Sequence, residues 1–160
     1  PRFLEEVDSL LAAGIPCGDN LKVSDHAHVI FPYHMEEERV VEAGSVSSAI
    51  GTTGRGIGPC YQDKVGRRFA VRVGELLHPD HLRQRLRHLV PYKNRLISAL
   101  AHGEGGAKEF DPDRLADEYL GYAGRMRPHV CDTAKLLHDG LAAGQKVLFE
   151  AAQGSLLDVD

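Results

Sequence analysis

Glycines 51, 54, 56 and 58 fall within eight residues and alternate with Thr52, Thr53 and Arg55. Lys64, Arg67 and Arg68 follow closely. Glycine permits positive φ and lets other groups approach the backbone. Exposed amides, two hydroxyls and guanidinium forks together suit a phosphate or another anion. The spacing is neither GxxxxGK[ST] nor GxGxxG, so neither a triphosphate P-loop nor a dinucleotide fingerprint is present. Composition alone balances a phosphate-binding loop against an ordinary loop with solvated bases.

A second candidate lies at Phe149-Glu150-Ala151-Ala152-Gln153-Gly154-Ser155. An apolar run ends there in small residues, where ligands of α/β proteins bind beyond strand ends. The Gln153 amide can read both a donor and an acceptor on a base edge, or it can satisfy a turn. Other chemical groups read as ordinary. His26 and His28 alternate onto one face of a strand, with the Asp25 carboxylate pointing away, so a metal is not expected. Glu36-Glu37-Glu38 reads as a solvated helix face. The bases Arg83, Arg85, Arg87, His88, Lys93 and Arg95 read as a solvated helix surface, with only Tyr92 as an interleaved aromatic. Cys60 stands near bases that favour a thiolate, yet its expected role is a small filler.

The elements that must position these groups are mostly helices. Phe3, Leu4, Val7, Leu10 and Leu11 recur at helical spacing, and Gly14 ends that helix. Residues 21–24 read as a short strand. Helices are expected over 33–43, 61–68, 81–100, 112–126 and 129–141. Pro59 fits a first helical turn, and Pro91 is expected to kink or interrupt the 81–100 helix. Residues 44–48 read as a Ser-rich turn. Lys146-Val147-Leu148-Phe149-Glu150 reads as a buried strand. The fold class that follows is α/β, a mostly helical region with a few strands. It is organised as a helical lobe over about 30–142 between strands near 21–24 and 146–150. Two or three strands without evident partners make an awkward complete domain, so the chain is expected to be part of a larger sheet.

Composition excludes several classes. The 160 residues carry 42% hydrophobic and 26% charged side chains and a formal charge of −4, which argues against disorder and against a general nucleic-acid binder. No apolar run approaches the roughly 18 residues of a membrane span. Three widely spaced cysteines form no CxxC pair, and a cytoplasmic setting is expected.

The blocks SDHAHVIFPYHMEEER, IGTTGRGIGPCYQDKVGRR and VLFEAAQGSLLDVD, in that order and spacing, closely resemble the adenylosuccinate synthetase family. The likeness extends over nearly the whole chain. It implies a piece excised from a larger, P-loop-like α/β ligase of purine biosynthesis that joins IMP and L-aspartate at the expense of GTP, with Mg²⁺. GTP would phosphorylate the purine 6-oxygen, and aspartate would displace that phosphate. The resemblance further implies that Thr53 contacts IMP, that Gln153 lies beside it, and that Arg67 reaches the IMP phosphate of the other subunit of a homodimer. No catalytic residue and no metal ligand is implied within these residues. The family's GDEGKG loop, a catalytic histidine and the Mg²⁺-binding segments lie outside them, as do the guanine- and aspartate-binding parts, so the chain alone is expected to be inactive. Ala151 stands where the family carries Gly, and Ser155 where Thr is common. The alternative reading is a free-standing, non-catalytic module that binds nucleotide phosphate.

Overall fold

A computed structural model describes residues 1–44, 53–101 and 106–151. Gln153 and most of the 44–48 turn lie outside the described residues. The spine is α4, Pro79–Leu100, whose Leu82, Leu86, Leu89, Val90 and Ile97 recur at helical spacing and are at most 1% exposed. Pro79 occupies its first turn, where a missing N–H costs nothing. Pro91 does not interrupt it. The bond Pro91 lacks would run to the carbonyl of Arg87, and both residues lie on the exposed face.

Two helices, α2 (Pro32–Gly44) and α5 (Pro112–Met126), pack on this spine, and a third, α3 (Ile57–Gly66), packs on α2 and reaches the spine through Asp63. The α5 helix starts at Asp111, whose carboxylate accepts the Arg114 amide at 2.7 Å. The core closes where Phe31 and Tyr33, both 0% exposed, meet α4 and α5. The Phe31 ring stacks on Tyr33 at 5.2 Å and tilts against Tyr119 at 4.3 Å. The Tyr119 hydroxyl donates to the Ile30 carbonyl at 2.8 Å, so burial of this aromatic leaves no orphaned donor. Each large side chain removed from water here contributes about 1.5–3 kcal/mol.

The α1 helix (Arg2–Ala12) lies beside α5 and buries Leu4 and Val7. Two short strands, β1 (Val23–Ser24) and β2 (Val130–Cys131), pair in parallel with Val23 opposite Val130. Downstream of β1, the chain runs antiparallel to residues 71–74. Val29 donates to the Val71 carbonyl at 2.9 Å, and Val73 donates to Ala27 at 2.8 Å. The last helix, α6 (Thr133–Ala142), is capped by Asp132, which accepts the Lys135 amide at 2.9 Å.

Three expectations are corrected. The helix expected from His129 starts at Thr133, because Val130 and Cys131 are drawn into β2 and Asp132 supplies the cap. The run 146–150 forms no strand, and Leu148 and Phe149 are 93% and 76% exposed. Strand geometry there needs a neighbour to accept its backbone bonds, and β1 and β2 pair only with each other among the described residues. Finally, the triple glutamate is not a wet face. Glu37 and Glu38 are buried, at 6% and 7% exposure.

Candidate functional site

The glycine-rich block enters α3 through a left-handed turn. Gly54 and Gly56 have φ of +66° and +74°. A Cβ on Gly56 would stand 2.8 Å from the Met35 backbone nitrogen and 2.9 Å from atoms of His34, so only glycine fits beside α2. Its amide donates to Glu38 Oε2 at 2.8 Å. The bare amide at this helix start is thereby satisfied by a carboxylate, a favourable charge for that end of a helix.

Farther along α3, Asp63 joins the helix to both neighbours. Asp63 Oδ1 accepts from Lys93 Nζ at 2.8 Å, and Glu37 Oε2 accepts from the same ammonium at 2.9 Å. Asp63 Oδ2 lies 2.9 Å from His34 Nε2. His34 Nδ1 accepts the Phe31 amide at 3.0 Å, which leaves Nε2 carrying the proton that Asp63 receives. Burial lowers the His34 pKa, and the opposing pull of Asp63 does not reverse it. Burial pushes the Asp63 carboxyl upward, but bonds from His34 and Lys93 outweigh it and its pKa lies below the usual carboxylate value. Two carboxylates, one ammonium and one neutral imidazole thus knit α2, α3 and α4 in the interior.

Thr53 is exposed just before α3 and lines a cavity of about 670 Å³ with Gly54, Glu38, Met35, Arg39 and Lys108. Arg67 caps the opposite end of α3 with φ +59°, the one described non-glycine residue at positive φ. The chain just beyond it is held from behind. Arg85 donates to the Ala70 carbonyl at 2.9 Å and to that of Arg68 at 3.3 Å. Phe69 stacks on Tyr92 at 4.2 Å. Arg67 lines a second cavity, about 570 Å³, with His28, Lys64, Arg72, Glu75 and Arg85. The structure therefore does not bring Thr53 and Arg67 together. Ten residues of helix, about 15 Å, lie between them.

The second cavity carries an excess of positive charge. Four cationic side chains face one carboxylate, and Glu75 is already engaged by the Arg72 amide at 2.8 Å and by His81 at 2.9 Å. His28 is kept neutral by burial first and by Arg72 and Lys64 next, and its buried Nδ1 has no partner among the described residues. The His26 ring sits 3.0 Å from Arg72 Nη1. No three His, Cys, Asp or Glu side chains converge as metal ligands among the described residues. Two of the three carboxylates that line the Thr53 cavity are in use as well. Glu36 holds Arg39 and the Lys108 amide, and Glu38 holds Gly56. These residues do not fit a Mg²⁺ site.

One sequence reading holds here and one changes in part. Cys60 is the buried filler expected, its thiol pushed up to about 11, first by burial and then by Asp63. The basic run on α4 is mostly the solvated surface expected, with some of its charges paired across to α5 and Lys93 as the exception. Arg83 meets Asp117 at 2.6 Å, Arg87 meets Asp113 at 2.8 Å, and Lys93 is buried at 2% exposure. No helix among the described residues is long and apolar enough to cross a membrane.

The chain has relatives among known proteins in both sequence and structure. The adenylosuccinate synthetase family profile matches residues 1–160. An adenylosuccinate synthetase of Thermoanaerobacter sp. (strain X514) is 45% identical over 158 residues, which are 99% of this chain and 36% of that protein. The Clostridioides difficile (strain 630) protein of the same name is 42% identical over 158 residues, again 36% of its length. Among solved structures, a fully ligated adenylosuccinate synthetase from Plasmodium falciparum superposes with a TM-score of 0.82 at 27% identity, covering 99% of this chain and 35% of that one. The chain thus spans about 36% of the length of the curated relatives it matches. It belongs to the adenylosuccinate synthetase family.

Proposed function

We propose that this chain supplies part of the IMP site of a GTP-dependent adenylosuccinate synthetase, and that it does so for two subunits at once. Thr53 serves the IMP of its own subunit, and Arg67 reaches the IMP phosphate bound by the other subunit of a homodimer. Gln153 contributes its amide beside the same nucleotide. The carrying observation is the separation of Thr53 and Arg67. They line different cavities at opposite ends of α3, and the one around Arg67 is strongly cationic. A single mononucleotide touched by both residues calls for two copies of the chain.

The chain's own chemistry in this reading is binding and orientation. The Thr53 hydroxyl and the amides of the glycine-rich turn hold polar oxygens, and the Arg67 guanidinium offers a fork matched to phosphate. Transfer of the GTP phosphoryl group to the purine 6-oxygen, and displacement of that phosphate by L-aspartate, belong to residues beyond these 160. Mg²⁺ supplies charge neutralisation at the transferred phosphoryl when bound. The full enzyme is placed in the cytoplasm.

The test is Arg67→Ala in the full-length homodimer. Loss of one charged hydrogen bond should weaken IMP binding by about 1.5–3 kcal/mol, read by equilibrium titration with IMP. An unchanged affinity removes Arg67 from the site.

A further inference from the structure

We infer that Glu38 is a positioning residue for IMP: by accepting the Gly56 amide it fixes the turn that carries Thr53. The inference rests on the reading of Thr53 as an IMP contact. Glu38 lies on α2, eighteen positions before Gly56; the residue is 7% exposed and its carboxylate is 2.8 Å from that amide. Gly56 also packs closely on its other side. Its α-carbon is pressed against the backbone of His34 and Met35 so closely that a methyl group cannot be added. Its carbonyl accepts from Cys60 at 3.2 Å and opens α3. Backbone contact on one side and a buried carboxylate on the other therefore define where the turn leaves α2.

Thr53 is three residues upstream, joined through Gly54, whose φ is also positive. In so short a link, Gly56 is the nearest point anchored to the interior and sets where the link to Thr53 begins. The far half of α3 is fixed separately, by Asp63 on His34 and Lys93. Losing the Glu38 bond would consequently free the Thr53 turn without releasing the helix. Glu38 also lines the cavity that Thr53 lines, so the same carboxylate anchors the turn and borders the space beside it.

The experiment compares Glu38→Ala, Glu38→Asp and Glu38→Gln in the full-length synthetase that carries this sequence. Alanine deletes the acceptor, aspartate withdraws it by one methylene, and glutamine keeps a carbonyl oxygen in reach of Gly56. Alanine should raise the KM and Kd for IMP about tenfold, because the freed turn no longer holds the Thr53 hydroxyl in place for the nucleotide, a loss comparable to one hydrogen bond. The KM for GTP and kcat should stay within about twofold, and glutamine should restore IMP binding to within about twofold of wild type. Aspartate should behave as alanine does and carries the test if the alanine protein does not fold. IMP binding within twofold of wild type in a folded alanine or aspartate variant overturns the inference. So does a parallel loss of IMP and GTP affinity, which marks general loosening, and so does a glutamine variant as weak as alanine. A wild-type enzyme that binds no IMP would instead overturn the proposed function, and this inference with it.

Discussion

His34 illustrates how one residue's environment sets its chemistry. Its Nδ1 is committed to the Phe31 amide, so protonation of the ring would cost that bond as well as the burial of a charge. Asp63, Lys93 and Glu37 all face it, and their effects partly cancel, leaving burial dominant and the pKa below 6.5. The folded state therefore binds fewer protons than the unfolded chain between the folded pKa and about 6.5. Stability is fully present above about pH 6.5 and declines as pH falls toward the folded pKa. His28, also lowered, adds in the same direction. Asp63, whose folded pKa is depressed, adds its loss only in the more acidic carboxylate range. An NMR titration of the His34 ring should show the neutral Nε2–H tautomer persisting below pH 6.5. A ring that titrates at or above 6.5 would defeat the argument. None of this was readable from PYH in the sequence, because the partners are Phe31 at one nitrogen and Asp63, 29 positions away, at the other.

At the scale of elements, α3 is a rod held by its neighbours more than by its own sequence. Its apolar face is meagre, with only Pro59, Cys60 and Asp63 buried. Charge does the work that an apolar stripe does on α4. Lys93 presents its ammonium to Glu37 of α2 and Asp63 of α3 with all three side chains nearly excluded from water. Lys93→Met would leave two buried carboxylates facing each other without a cation, at a cost of about 3–5 kcal/mol. Chemical denaturation of the variant checks this, and a change below 1 kcal/mol would mean the cluster is solvated. Triple substitution with Glu37→Gln and Asp63→Asn should recover most of the loss, since the unpaired charges are then gone. The helices themselves were legible in the sequence because their stripes are local: Leu82, Leu86 and Leu89 announce α4, and Asp111-Pro112 announces the start of α5. The buried charges were misread as a solvated surface, although a signal existed. Glu37 sits four residues after Tyr33 and three before Val40, on the buried stripe of α2, and Lys93 sits between Leu89 and Ile97 on that of α4. Opposite charges on two apolar stripes predict a buried pair. The run 146–150 was misread for the opposite reason, since strand character depends on neighbours that lie outside the stretch itself.

At the scale of the whole molecule, what matters is how many copies complete one site. Thr53 and Arg67 belong to a single glycine-rich block, which the sequence presents as one phosphate loop, and only the length of α3 divides them between two cavities. If one nucleotide is held by Thr53 of one subunit and Arg67 of the other, each site is a composite. A homodimer of Thr53→Ala chains then has two defective sites, and so does a homodimer of Arg67→Ala chains. A mixed dimer differs. One of its sites combines an intact Thr53 with an intact Arg67, and the other collects both defects. Random reassortment of equal amounts makes about half the dimers mixed, so roughly a quarter of all sites become fully competent. Mixing the two weakened proteins under exchanging conditions should therefore restore IMP-saturable activity to about a quarter of wild type, above the mean of the two parents. A site assembled within one chain gives no such gain, because every chain in the mixture carries one lesion. Activity of the mixture equal to the parental mean, with subunit exchange verified by tagged chains, would return Thr53 and Arg67 to a single subunit. Another element would then have to bring the nucleotide across the length of α3.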